Sequence, residues 1–272
     1  MIDITDKEFN KFSIFIKRNY GINLKKEKKV MFMGRMQNVL SDSGFDNFDD
    51  YYDYVVSDIT GQAAITLIDK VSTNHTYFMR EADHFKYFQD KILPYLKATV
   101  QNKDLRIWCA ASSTGEEAYT IAMILDEFFG NDKLLWDKKI LASDISESVL
   151  DTASKGIYSS ERIKPLPSQW RQNYFRKYDN ENYIINNFIK NEVLFRKFNL
   201  MENVFPFKKK IHVIFCRNVM IYFDNETRDG LIRKFYDTIE PGGYLFLGHS
   251  ETINRSCSNF EYVMPSVYRK PL

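Results

Sequence analysis

The chain has 272 residues, 44% of them apolar and 15% aromatic, with a formal net charge of +2. That length and apolar content suit one large or two modest globular domains and exclude a disordered chain. The near-neutral balance excludes a basic glove for nucleic acid. No apolar run approaches the roughly 18 residues of a membrane span, and MIDITDKEF carries no signal-peptide core, so a cytoplasmic protein without membrane insertion is expected.

The first seventy residues read as a small helical bundle. Thr5 and Glu8 form a capping box, Phe9, Phe12, Ile16 and Tyr20 share one helical face, and Gly21 is the stop. A second helix is expected over Lys26 to Leu40, apolar at Val30, Met33, Val39 and Leu40, and two more over Asp49 to Val56 and Ala63 to Val71. The start of the second helix is basic, with Lys25, Lys26, Lys28 and Lys29, whereas residues 36–60 hold Asp and no Lys or Arg. Such charge asymmetry suggests either a partner-facing surface or a solvated helix face.

Domain boundaries are expected at 1–72 for the helical part, 73–90 for a linker, and 91–272 for an α/β domain. The linker carries STNHTYFMRE, Ser72 to Glu81, where Asn74, Thr76 and Arg80 offer hydrogen bonds and Tyr77 and Phe78 offer anchors. Domain junctions commonly hold sites. A helix with a polar N-terminus is the plain alternative.

From about residue 104 strands and helices alternate, with strands near 105–110, 139–143, 211–216 and 243–248 and helices near 115–129, 146–154 and 225–239. That rhythm implies a mainly parallel, doubly wound sheet. Residues 174–198 interrupt it and read as a small antiparallel excursion. After the first strand, Ala110 to Gly115 keep side-chain bulk low, with Thr114 as N-cap and Glu117 completing a capping box. The loop is either an ordinary strand-to-helix turn or the floor of a pocket. Its Glu116–Glu117 pair suits a cationic ligand and repels a phosphate.

Asp144 closes the second strand, where doubly wound sheets place the carboxylate that holds a ribose. Arg217 and Asn218 follow directly on the apolar strand of FCRNVMIYFD, with Tyr222 four residues on. Ligands bind at such strand ends, and these groups are costly to bury unpartnered. Cys109, Cys216 and Cys257 are odd in number and lack a C-x-x-C pair, so neither a disulfide framework nor a metal site is expected.

In this order STNHTYFMRE, WCAASSTGEEAYTIAM, ASDIS, FNL, FCRNVMIYFD and PGGYLFLGHSE resemble the chemotaxis receptor methyltransferases, the CheR family, along essentially the whole chain. The resemblance implies a Rossmann-like S-adenosylmethionine-dependent methyltransferase domain with a small antiparallel β-subdomain, preceded by an all-helical domain. It implies methylation of glutamate side chains on the cytoplasmic helices of methyl-accepting receptors, with S-adenosylhomocysteine as the other product and no metal. Asn74, Thr76, Arg80, Glu117, Asp144, Asn199, Leu200, Arg217 and Asn218 would bind the cofactor. Arg80 and Tyr222 would stand at the reacting centre, and Lys25, Lys26, Lys28 and Lys29 would dock the receptor. Two departures stand out: Met79 replaces a Phe, and RKYDNENYII replaces the Gly-rich turn of members that tether to a receptor's C-terminal pentapeptide. No such tether is expected here. Two rivals remain: a methyltransferase of this fold with another substrate, and a cofactor-sensing module without catalysis.

Overall fold

The structure is a computed structural model and describes residues 2–254 and 258–272; Cys257 lies outside the described residues. The N-terminal part consists of α1 (Asp6–Tyr20), a 3₁₀ turn (Lys26–Lys28), α2 (Lys29–Ser43), α3 (Phe48–Ser57) and α4 (Gln62–Val71). The Thr5–Glu8 capping box opens α1, and Gly21 closes it in the left-handed region at φ +73°. Phe9, Phe12 and Ile16 meet Phe32, Met36, Phe48 and Tyr51 in a core separate from that of the sheet. Expected as a core position, Val30 is 74% exposed. The helix proper starts only at Lys29, and Phe32 and Met36 take the inward face.

An irregular stretch, 72–81, leads into α5 (Ala82–Tyr87), a π-helical turn (Phe88–Ile92) and α6 (Leu93–Thr99). Residues 82–90, expected as linker, instead pack on the sheet. The Phe88 ring lies 5.5 Å from Phe215, which stacks on Phe246 at 4.4 Å. The chain then runs β1 (Ile107–Cys109), α7 (Glu116–Phe129), β2 (Ile140–Asp144), α8 (Glu147–Lys155), β3 (Ile157–Ser159), α9 (Ser160–Ile163) and α10 (Ser168–Tyr174). It continues through β4 (Phe175–Lys177), β5 (Asn182–Ile185), α11 (Asn187–Lys190), β6 (Val193–Lys197), β7 (Ile211–Cys216) and α12 (Asn225–Thr238). The last strands are β8 (Ile239–Leu247), β9 (Glu261–Met264) and β10 (Val267–Arg269).

The large sheet has the order β6-β2-β1-β7-β8-β10-β9. Its first five strands are parallel, and β10 pairs antiparallel with β8 and β9. Every residue of β1 and β7 is buried, as expected for parallel strands covered on both faces. Strand order reverses at β1, so a crevice opens between the carboxyl ends of β1 and β7. The small antiparallel sheet differs from the expected 174–198 unit. Its order is β3-β5-β4, recruiting Ile157–Ser159, while Val193–Lys197 pairs in parallel with β2 at the edge of the main sheet.

The helical domain is fastened to the sheet domain just beyond α1. Ile22 bridges Phe223, Asn23 N donates to Tyr222 O at 2.8 Å, and Asn199 Nδ2 donates to Asn19 O at 2.8 Å. Lys17 pairs with Asp224 at 2.6 Å and holds that carboxyl down at about 2. Gly21 turns the chain under this strap, where a Cβ would stand 2.6 Å from Met201 Sδ. Gly21→Ala should therefore cost about 1–2 kcal/mol from the left-handed backbone alone. A thermal melt should show Tm lower by several degrees; an unchanged Tm would contradict a left-handed turn held in place at Gly21.

Candidate functional site

One cleft of about 1070 Å³, including its open mouth, lies over the carboxyl ends of β1, β2 and β7, with Tyr20, Ile22 and Val71 of the helical domain forming a further wall. Ligand clefts of this kind collect at the switch point of open α/β sheets.

The floor is the β1–α7 turn. Gly115, not Thr114, is the residue before the helix; at φ +94° it adopts a left-handed conformation without a side-chain cap. An added Cβ there would meet Ala153 Cβ at 2.9 Å and Tyr158 Oη at 3.0 Å. The expected capping box is absent because its partners are engaged elsewhere. Thr114 Oγ1 donates to Glu116 Oε2 at 2.7 Å and accepts from Arg162 Nη2 at 2.8 Å. Glu116 is fully buried in its ion pair with Arg162 and does not line the cleft. Of the two helix-opening glutamates, only Glu117 faces the cavity.

At one end of the floor stands Asp144. Its Oδ2 accepts from Ser113 N at 2.8 Å and its Oδ1 from Ser146 N at 3.1 Å, which aims the carboxylate rigidly. Burial pushes its pKa up, against those backbone hydrogen bonds. Each oxygen retains accepting capacity toward the cleft. The helix cap itself is Ser146, whose Oγ accepts from Val149 N, so Asp144 is not needed for that role.

At the other end Arg217 lies between two carboxylates, reaching Glu117 Oε2 at 2.9 Å and Glu81 Oε2 at 3.0 Å, with its side chain 2% exposed. Burial raises the pKa of Glu117, opposed by Arg217. Burial also pushes Glu81 up, but Arg217 and the hydrogen bonds of His249 N and Asn218 outweigh it, and its pKa falls below the ordinary value. Asn218 sits at φ +60°, its N held by Glu251 Oε2 at 2.9 Å. Glu251 also accepts from Ile221 N at 3.2 Å, which bends the chain so that Tyr222 returns over the cleft. Glu81, His84 and His249 lie close enough to share a cation. Arg217 already supplies a fixed positive charge on Glu81 Oε2, so a second cation there would be repelled.

The mouth is formed by the linker. Ser113 Oγ donates to Asn74 O at 3.0 Å, pinning the linker to the floor. Arg80 Nη1 donates to His75 O at 2.7 Å, and the guanidinium lies 5.9 Å from the Tyr77 ring centroid. Asn74, Thr76, Arg80, Glu117, Asp144, Asn199, Leu200, Arg217, Asn218 and Tyr222 all line this one cleft. Both polar ends of Asn199 are engaged within the protein, donating to Asn19 O and accepting from Met201 N.

The four lysines lie outside the cleft. Lys26 and Lys29 both pair with Asp6, which they hold down at about 2, while Lys25 and Lys28 are exposed with no ion pair among the described residues. His84 and His212 are buried, and burial first, then a neighbouring arginine, brings each down to about 4. The cleft also includes residues the sequence did not single out for it. Tyr20 reads as a core position of α1 and Ile22 carries no motif; only the strap's pairing with Phe223 brings them over.

Comparison with known proteins places both parts of the chain. Residues 7–72 match the family model described as "CheR methyltransferase, all-alpha domain", and residues 74–268 match "CheR methyltransferase, SAM binding domain". The chain is 43% identical to a chemotaxis protein methyltransferase of Borreliella burgdorferi, over 99% of this chain and 96% of that one. It is 34% identical to the chemotaxis protein methyltransferase of Escherichia coli, over 97% and 91% of the two. A Pseudomonas putida relative, chemotaxis protein methyltransferase Cher2, is 30% identical over 95% of each.

Replacing Arg217 with Met would leave Glu81 and Glu117, each largely enclosed, without their counter-ion. Breaking a buried pair by removing one partner costs about 3–5 kcal/mol, to be read by chemical denaturation. Both carboxyls would then have folded-state pKa values above the unfolded value of about 4.3. The penalty should therefore ease as pH falls and deepen as pH rises through the raised values. A pH-independent loss would contradict the charge argument.

Proposed function

The chain belongs to the CheR methyltransferase family, and from that premise we propose that it is a protein-glutamate O-methyltransferase acting on chemotaxis receptors, with S-adenosylmethionine as methyl donor. What carries the proposal is a single arrangement: Asp144 and Glu117 at opposite ends of one cleft, with Arg80 and Tyr222 at its mouth. Asp144, buried and held by two backbone N–H groups, suits a pair of ribose hydroxyls. Glu117, the one helix-opening glutamate that faces the cleft, presents a carboxylate that favours a cationic amino group and disfavours a phosphate. The residues present therefore fit a nucleoside with a zwitterionic amino-acid tail. When bound, S-adenosylmethionine supplies an electrophilic methyl on a positively charged sulfur.

The chain's own residues have little proton chemistry to perform. A substrate glutamate, with an unperturbed pKa of about 4.3, is already ionised at neutral pH, so no general base is needed. Charge is lost as the ester forms, and a cleft walled by Tyr20, Ile22 and Phe223 excludes water from that event. Arg80 orients the incoming carboxylate by a charge-assisted hydrogen bond on one oxygen, leaving the other free to attack. A tighter clamp would stabilise the reactant, so its role is orientation. Tyr222 presents either its hydroxyl to the substrate or its ring face to the positive sulfur. Lys25 and Lys28, exposed just ahead of α2, would meet acidic receptor helices.

The hairpin between β4 and β5 supports the absence of a tail tether. Asp179 Oδ1 accepts from Glu181 N at 2.9 Å and Asn182 N at 2.8 Å, closing a polar, glycine-free turn. Calorimetry against a receptor-tail pentapeptide should detect no binding in the low-micromolar range or tighter; such binding would overturn this part.

Two variants separate the roles in the cleft. Arg80→Ala should lower methyl transfer to a receptor fragment by about two orders of magnitude, with cofactor affinity changed less than about tenfold. Asp144→Ala should raise the cofactor dissociation constant by about tenfold or more, the worth of a hydrogen bond to a charged group. Near-normal turnover in the first, in a radiolabelled-methyl assay, or unchanged affinity in the second, by calorimetry, would reject the assigned role.

A further inference from the structure

Glu81 closes the STNHTYFMRE segment but does not line the cleft. Its carboxylate nonetheless gathers two separate parts of the chain, the loop after β7 and the loop after β8. Oε2 accepts from Arg217 Nη2 at 3.0 Å and Nε at 3.3 Å, and Oε1 accepts from Asn218 Nδ2 and His249 N, each at 3.2 Å. The backbone is bent to deliver it: Glu81 has φ +56° and Met79 φ +61°, values that L side chains rarely adopt.

We propose that Glu81 is a positioning residue of the methyl-transfer site, acting through Arg217 to keep part of the Glu117 carboxylate's charge and accepting capacity available for the cofactor's amino group. The proposal rests on the reading that this cleft takes S-adenosylmethionine.

The guanidinium of Arg217 has a fixed set of donors and cannot lose its proton. Nη1 reaches Glu117, while Nε and Nη2 turn to Glu81. Nη2 also donates to the Arg80 carbonyl, and the group lies 5.0 Å from the Phe85 ring centroid. One positive charge thus serves two carboxylates, and the buried end of the cleft keeps an excess negative charge. Without Glu81 the whole fork is free to turn onto Glu117, satisfying the acceptor that a cationic ligand would need. His84 cannot replace Arg217 as the partner of Glu81. Its Nε2 faces Pro265 O at 3.2 Å and carries the ring proton, so Nδ1, 3.5 Å from Glu81 Oε2, offers a lone pair. The charged and titratable groups facing Glu117 are Arg217, the Cys109 thiol and Glu81; those facing Glu81 are Arg217, His84 and His249.

The test compares wild-type protein with Glu81→Gln, which keeps the shape and removes the charge, and Glu81→Asp, which keeps the charge on a shorter arm. Calorimetry with S-adenosylmethionine and with S-adenosylhomocysteine, both carrying the amino group, is run as a pH series from neutral down into the ordinary carboxylate range. Glu81→Gln should bind both ligands at least about tenfold more weakly at neutral pH. Its loss of affinity on acidification should also move to lower pH, because Glu117 no longer has a second negative charge beside it. A loosened structure alone would weaken binding without moving that acid limb. Glu81→Asp should bind more weakly than wild type with the wild-type acid limb. Unchanged affinity in Glu81→Gln, or weaker affinity with an unmoved limb, overturns the proposal. Should Glu81→Gln lack a cooperative melt, Glu81→Asp decides: weaker binding supports the role, and wild-type binding or failure to fold overturns it. Wild-type protein that binds neither ligand refutes the cofactor reading itself, a different result from two variants that bind alike.

Discussion

Arg217 leaves the end of a wholly buried strand and has nowhere to discharge its proton, so the surrounding chain must bring carboxylates to it. That requirement draws the first turn of α7, the left-handed turn at Glu81 and the loop after β7 to one point. Glu117 and Glu81 approach from opposite sides, the Phe85 ring covers a face, and the Arg80 carbonyl takes a further donor. Each contact has a second consequence. Glu117 is set facing the cleft, the backbone of Arg80 is fixed at the mouth, and Asn218 is held where Glu251 can turn the chain back toward Tyr222. Buried ion pairs of this kind contribute little net stability compared with apolar packing. Their physical effect here is orientation.

The helical domain belongs to the same construction. Its core is separate from that of the sheet, yet the segment from Lys17 to Asn23 binds the two stretches that carry Asn199 and Tyr222. Tyr20 and Ile22 consequently become cleft walls. A receptor helix meeting the basic start of α2 would press on an element joined by a few residues to the loop that carries Tyr222. On the proposed function, docking and cofactor enclosure would thereby be adjacent in the fold as well as in the sequence.

Much of this was legible in the residues. The Thr5–Glu8 box, the Gly21 stop and the alternation of strands with helices each follow from local rules, and each lies close to its expected place. The motif-bearing cleft residues were also legible, because polar groups at the ends of apolar strands are costly to bury and contribute little to packing. Other features depend on partners distant in sequence. Thr114 and Glu117 have the spacing of a capping box, but Arg162 and Arg217 outcompete the helix backbone for them. Val193–Lys197 has the look of a hairpin strand, and only pairing with β2 assigns it to the main sheet. Glu81 and Glu251 lie inside recognisable motifs without a legible role, since nothing local reveals that a carboxylate is collecting backbone amides or guanidinium donors. Val30 shows the limit of periodicity when a 3₁₀ turn shifts where the helix begins.

If this cleft places a receptor glutamate against a methyl donor, the modified atom can be found directly. The full chain is incubated with isotopically labelled S-adenosylmethionine and a receptor cytoplasmic fragment, followed by peptide mapping in a mass spectrometer. Label is expected on glutamate side chains, as esters that mild base removes. Label on another residue type, or in a base-stable linkage, would contradict a glutamate O-methyltransferase.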